Sequence, residues 1–262
     1  MSIGSLLLRF VVLVAMILIL APIVIVLVVA FSAGESLSFP PQGFSLRWFV
    51  AFFQISEMRN AFILSIGLAL VSACASTLLG LMGGVYVTRH RNRFAVLLET
   101  LIIAPLVFPA IILGLALLLL FRSVHMGILP GLFIAHVVIC LPYAFRAITT
   151  SLHSFDTTYE EAGQSLGAGP IRSFVQITLP IIWPGVLSGW LFAFIVSFGE
   201  LNTALFLTGP GVVTLPIEMF SYLQFQGNQL VVAAASALQV FIIIVALLLV
   251  ERFVGARQLV QR

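Results

Sequence analysis

Residues 160–180 read EEAGQSLGAGPIRSFVQITLP. Two acids, three glycines and two prolines stand here between two of the most apolar runs in the chain. The local signals are helical. Thr158 followed by Glu161 has capping-box spacing, a hydroxyl with a carboxylate three residues later. Asp156, Glu160 and Glu161 place negative charge at an amino end, where the helix dipole favours it. Phe155, Tyr159, Ala162 and Leu166 recur at helical spacing and predict one apolar stripe. Gly167 and Gly169, on either side of Ala168, break that helix. Pro170 suits the first turn of a second helix, whose stripe is Ile171, Phe174, Val175 and Thr178. Interfacial helices usually carry Lys or Arg on the polar face. The first helix carries two Glu and no Arg, so its amphipathic face fits a protein partner better than a lipid surface.

The rest of the chain explains why such an element stands out. Of 262 residues, 61% are hydrophobic and 8% are charged, against roughly 25% charged in an ordinary soluble domain. So few charges cannot cover a water-facing surface of this size, and a bilayer supplies the apolar solvent. The net charge is +3, all basic residues are Arg, and there is no Lys. The arginines are scattered except for RHRNR at 89–93, so no basic face exists for nucleic acid. A phosphate-cradling loop of the G-x-x-x-x-G-K-[ST] type needs its Lys. This chain therefore carries no ATP site of that kind. Cys74 and Cys140 fall inside apolar runs and read as small buried residues rather than a disulfide framework.

Six runs, at 8–31, 61–88, 95–121, 128–149, 181–207 and 229–251, reach the length of about 20 helical residues that crosses a hydrocarbon core. They are continuous rather than alternating, so they predict helices and not barrel strands. The first exceeds the roughly 7–15 residues of a signal core and reads as a retained span. With both ends cytoplasmic, nine arginines lie inside and three (Arg47, Arg59 and Arg122) outside, the bias expected of a membrane protein. Loops 89–94 and 150–180 then face the cytoplasm, and loops 32–60, 122–127 and 208–228 face outward. Pro22, Pro105, Pro109, Pro142 and Pro184 mark kinks, whether for packing or for lining a pathway.

Glu161-Ala162-Gly163, three residues, Gly167, nine residues, then Ile177-Thr178-Leu179-Pro180 resembles the EAA loop that marks the membrane subunits of binding-protein-dependent ABC importers. The spacing matches throughout, with Gly163 where that family usually has Ala. The resemblance implies an all-α fold: a polytopic membrane protein with six transmembrane helices and a cytoplasmic coupling helix, the type I ABC importer permease fold. It implies one permease domain over 1–262, with a transmembrane core at about 61–251 and the coupling loop at 150–180, in a bacterial inner membrane. Coupling to the ATPase would fall to Glu160, Glu161, Ala162, Gly163, Leu166, Gly167, Ala168, Pro170, Ile177, Leu179 and Pro180. The implied partners are a cytoplasmic ATPase dimer that binds ATP and Mg, a second permease subunit (expected to be a different chain) and an external solute-binding protein. The chain itself would hold no cofactor and would not be an enzyme.

PPQGFSLRWF at 40–49, HVVICLPYAF at 136–145 and FLTGPGVVTLPIEMFSYLQF at 206–225 resemble the second permease subunit of spermidine/putrescine importers. That similarity implies a small amino-group solute. Charged groups within spans are functional candidates by default, and Glu200 is the prominent one. Ser197, Glu200 and Thr203 lie three apart and would share a helix face, with Asn202 beside them. Glu200 either faces the pathway or is hydrated at the outer end of its span. One acid suits a monocation or a zwitterion as well as a polycation. His136 reads as hydrogen-bonded packing, and no His/Cys/carboxylate spacing points to a metal. An intramembrane enzyme lacks its motifs here. A self-contained secondary transporter predicts inverted repeats, which are not evident, and leaves the 150–180 loop without a role.

Overall fold

The structure, a computed structural model, describes residues 3–225 and 228–260. Among them all regular structure is helical apart from two isolated bridges, Ser32 with Phe44 and Gly209 with Val212. The helices are α1 (Ile3–Val29), α2 (Arg47–Gln54), α3 (Ser56–Arg89), α4 (Arg93–Ile103), α5 (Ala110–Ser123), α6 (Ile128–His153), α7 (Thr158–Ser165), α8 (Pro170–Ser173), α9 (Leu179–Phe198), α10 (Ala204–Leu207), α11 (Leu215–Phe225) and α12 (Gln229–Val260). Among the described residues, five helices are long and apolar enough to cross a membrane, or six spans if α4 and α5 count as one bent pair.

Several predicted boundaries move, and the larger changes are these. The run 95–121 is not one rod: α4 and α5 meet at 108°. Pro105 lies in a 3-10 turn after α4 and Pro109 is the residue before α5. Neither proline can donate the backbone bond that would continue the helix. The run 181–207 ends early, because α9 stops at Phe198 with Gly199 as its C-cap. The third helix begins at Ser56, before the predicted 61. Finally, the outward loops 32–60 and 208–228 hold helices of their own, α2 and α11.

The chain divides into two compact units. The first comprises Met1–Asn60 with Glu218–Ile244. In it, Ala30 at the end of α1 is buried with Ala233 and Ala237 of α12, and Leu27 and Phe49 pack against them. The second comprises Ala61–Ile217 with Val245–Arg262. Its centre is the packing of α6 along α9. Within lipid, helices gain little from hydrophobicity and associate by close contact, which favours small residues. Gly185 and Gly189 supply such a stripe on α9: a Cβ at Gly189 would lie 3.0 Å from the Ala144 carbonyl oxygen of α6. Gly80 of α3 does the same, with a Cβ 3.0 Å from the Phe145 nitrogen. Below this contact a buried cluster of Ile148, Leu152, Ile182 and Val186 receives Leu81 and Val85 from α3, together with Phe155 and Leu179. The last two residues flank the 156–178 element, so the core anchors that element at both ends.

Candidate coupling element and solute pathway

The element begins with a cap the spacing misplaced. Thr158 is the first helical residue, and the preceding Thr157 makes no side-chain cap bond. Asp156 Oδ1 instead accepts the Thr158 backbone N–H at 3.0 Å, the short-range turn that an aspartate side chain reaches easily. Bonds from the Thr158 side chain and backbone hold the Asp156 carboxyl below the usual carboxylate range. Glu161, the other half of the predicted box, is exposed.

The far end of α7 is a Schellman turn. The Ala168 N–H bonds the Gly163 carbonyl at 3.1 Å and the Gly167 N–H bonds that of Gln164 at 2.9 Å. Gly167 has φ of +91°, the conformation this motif requires and glycine adopts without a Cβ penalty. Gly169 is extended, and Pro170 opens α8 as its first residue, where a missing N–H costs nothing. α8 then runs through one π-helical turn, Phe174–Thr178, into α9, the Leu179 N–H bonding the Phe174 carbonyl. Pro180 sits in the first turn of α9.

The side chains are arranged inside out relative to a core helix. Leu166 is 90% exposed and Ile171 80% exposed, with Tyr159, Ala162 and Val175 also on the outside. Only Phe155, Phe174 and Thr178 of the two predicted stripes turn inward. The buried side chain of α7 is the charged Glu160. Its Oε1 accepts Arg89 Nη2 at 2.6 Å and also the Thr178 hydroxyl. The Arg89 guanidinium lies 5.5 Å from the centre of the Phe174 ring. Gly163 fits this packing, since a Cβ there would stand 2.5 Å from Ile177 Cδ1. The exposed face therefore carries Glu161, Ala162, Leu166, Gly167 and Pro170. Gly163, Ala168, Ile177 and Leu179 are half-buried behind it, and Glu160 is on the inner side.

At the other end of α9 the predicted shared face does not form, because the helix ends before Glu200. Ser197 is buried, its Oγ 2.8 Å from His136 Nδ1 of α6. Thr203 is buried and donates its hydroxyl to the Ala110 carbonyl at 3.1 Å. Glu200 lies in the turn between α9 and α10, half-buried, and its Oε1 accepts the Thr203 N–H at 2.7 Å. Asn202 is exposed. Of the four pathway candidates, then, Ser197 and Thr203 hold the turn together, while Glu200 and Asn202 reach its accessible side. Glu200 has no basic residue within ion-pair distance among the described residues.

Two residues escaped the sequence reading. Glu99 of α4 is half-buried and lines a cavity of about 470 Å³ with Val96, Thr100, Ile103 and Val107. Its signal was available, as a carboxylate inside the run 95–121. Arg89 had only its membership of a topology-type basic cluster, because its partner lies 71 residues away.

Comparison with known proteins follows the same lines. Residues 76–257 match the family described as "Binding-protein-dependent transport system inner membrane component". The chain is 35% identical over 224 residues to the putrescine transport system permease protein PotI of Escherichia coli, covering 82% of this chain and 79% of that protein. It is 31% identical over 181 residues to the spermidine/putrescine transport system permease protein PotC of Haemophilus influenzae, covering 69% and 70%. Among solved structures, a chain of a bacterial alginate ABC transporter in complex with an alginate pentasaccharide-bound periplasmic protein superposes with a TM-score of 0.70. That match has 15% identity and covers 95% of this chain and 93% of that one.

Proposed function

Because this chain belongs to the family of binding-protein-dependent transport system inner membrane components, we propose that it is the half-channel of an ABC importer for a small cationic amine of the polyamine class. It is a multi-pass membrane protein with the type I ABC importer permease fold. A separate ATPase dimer binds ATP and Mg and docks on the 156–180 element from the cytoplasm. A second permease subunit, a different chain, completes the channel, and an external solute-binding protein delivers the solute. Both termini lie in the cytoplasm.

The exposed face of the element carries the docking reading. Leu166 and Ile171 are almost fully exposed on a rigidly capped loop whose buried acid, Glu160, points inward. Exposed large apolar side chains grouped in this way mark an interaction surface, and an ATPase groove supplies the cover. Reading Glu200 as a cation contact rests on its half-burial without a basic partner and on the named solutes of the relatives. The test is uptake of putrescine into vesicles that hold the chain with its partner permease, ATPase and binding protein. Uptake that needs ATP and all four components supports the reading. Uptake by the chain without the ATPase would point instead to a secondary transporter. Orientation is read separately: a cysteine at Gln164 should label only from the cytoplasm and one at Phe225 only from outside, both positions being exposed.

A further inference from the structure

We infer that Arg89, Glu160 and Thr178 form a latch that delivers one movement of the docking element to two membrane helices at once. The inference rests on the functional reading above and assigns the mechanical linkage within it. Three elements meet on a single atom. Arg89 is the last residue of α3, Glu160 lies in the first turn of α7, and Thr178 ends the π-helical turn directly before α9. Arg89 Nη2 and the Thr178 hydroxyl both donate to Glu160 Oε1. Any displacement of α7 must carry that oxygen. It then either draws the ends of α3 and α9 with it or breaks two charge-assisted hydrogen bonds.

Burial decides which of these happens. The Glu160 side chain is only 10% exposed, so water cannot readily replace a lost donor, and an unpaired buried carboxylate is costly. Phe174 beneath the Arg89 guanidinium adds a cation–π contact on the same side. The yielding part of the assembly is the π turn itself. A π turn inserts one residue into an α-helical path and is found mainly at functional positions. Phe174–Thr178 lies between the rigid docking turn and α9, so it can absorb rotation of one against the other. The latch bridges this turn at its Thr178 end. No other ion pair is found among the described residues, so this pair is singular there. Arg89 and Glu160 are positioning residues: neither is on the exposed docking face and neither is near Glu200 in the chain.

The complete importer in vesicles, with putrescine as probe, gives the decisive ratio, ATP hydrolysed per molecule imported. Arg89→Ala and Glu160→Gln should each raise this ratio about tenfold while the ATPase still co-purifies at the parental level. The charge exchange Arg89→Glu with Glu160→Arg should bring it back most of the way, which a cycle of the single and double variants quantifies. A pair that only holds the fold would lower complex recovery and uptake together and leave the ratio unchanged, and that result overturns the latch. If Arg89→Ala does not assemble, Thr178→Val removes one hydroxyl at constant shape and should raise the ratio about fivefold. A parental ratio in that variant also overturns the latch. If the parent importer takes up no putrescine with ATP, the functional reading falls and the latch with it. If the parent transports and every variant keeps its ratio, the latch alone falls.

Discussion

α9 is interrupted at both ends, and the two interruptions use their polar groups in opposite ways. Before it, the 156–178 element turns its acid Glu160 inward and its apolar Leu166 and Ile171 outward. After it, the 199–203 turn buries the hydroxyl of Thr203 and leaves Glu200 half-buried on its accessible side. A turn that exposes its carboxylate satisfies itself and stays open to a small charged visitor. An element that exposes leucine is finished only when something large and apolar covers it. The two ends of one helix thus present two chemistries, one suited to a protein and one to a cation.

The sharpest break of this comparison is Leu166→Asp. The side chain touches little in its own chain, so folding stability should stay within about 0.5 kcal/mol. Association with the ATPase should weaken by about 2 kcal/mol or more, as at an interface anchor. Thermal unfolding of the variant checks the first half and binding of the purified ATPase to membranes the second, and unchanged binding would mean that this face is not the docking surface. Next is Gly167→Val. A β-branched residue at φ of +91° costs about 1–2 kcal/mol and loosens the Schellman turn. Docking should weaken roughly tenfold, and cysteine labelling at Gln164 of α7 should speed up as the turn loosens. On the other side stands Glu200→Gln, which keeps the Thr203 cap bond but removes the charge. Putrescine uptake should fall about tenfold, the worth of one charge-assisted contact, with ATPase binding unaltered. Wild-type uptake would make Glu200 a cap and nothing more.

The smallest effect belongs to Asp156. Its folded carboxyl is held below its ordinary value by Thr158, so the stabilisation it lends to α7 is full above the unfolded value and fades as pH falls through the folded one. Amide exchange at Thr158 in the full-length protein should therefore speed up only in the acid range. Asp156→Ala should remove that pH dependence, and Asp156→Asn, another good cap, should keep the amide protected at all pH values.

Much of this was legible in the chain. Gly167, Gly169 and Pro170 predicted the turn and the start of the second helix, because capping and φ preferences act over a few residues. The long apolar runs predicted the spans for a similar reason: hydrocarbon thickness sets their length whatever they pack against. The sequence pattern also erred in two instructive places. Ser197, Glu200 and Thr203 were aligned by spacing on a helix that stops at Phe198, since composition does not reveal a break whose residues are bonded across to Ala110 and His136. The apolar stripe of α7 was visible as a stripe, but not which way it faced.

By itself, then, the sequence determined the apolar medium, the long apolar helices and the helix–turn–helix element at 156–178, all of which follow from local composition and short-range backbone chemistry. Only the tertiary structure decided that Glu160 faces in and Leu166 out, that Arg89 meets a carboxylate 71 residues away, and that Glu200 sits in a turn. These depend on which side chains α3, α6 and α9 bring together, and close packing of glycine-lined helices fixes that through space rather than along the chain.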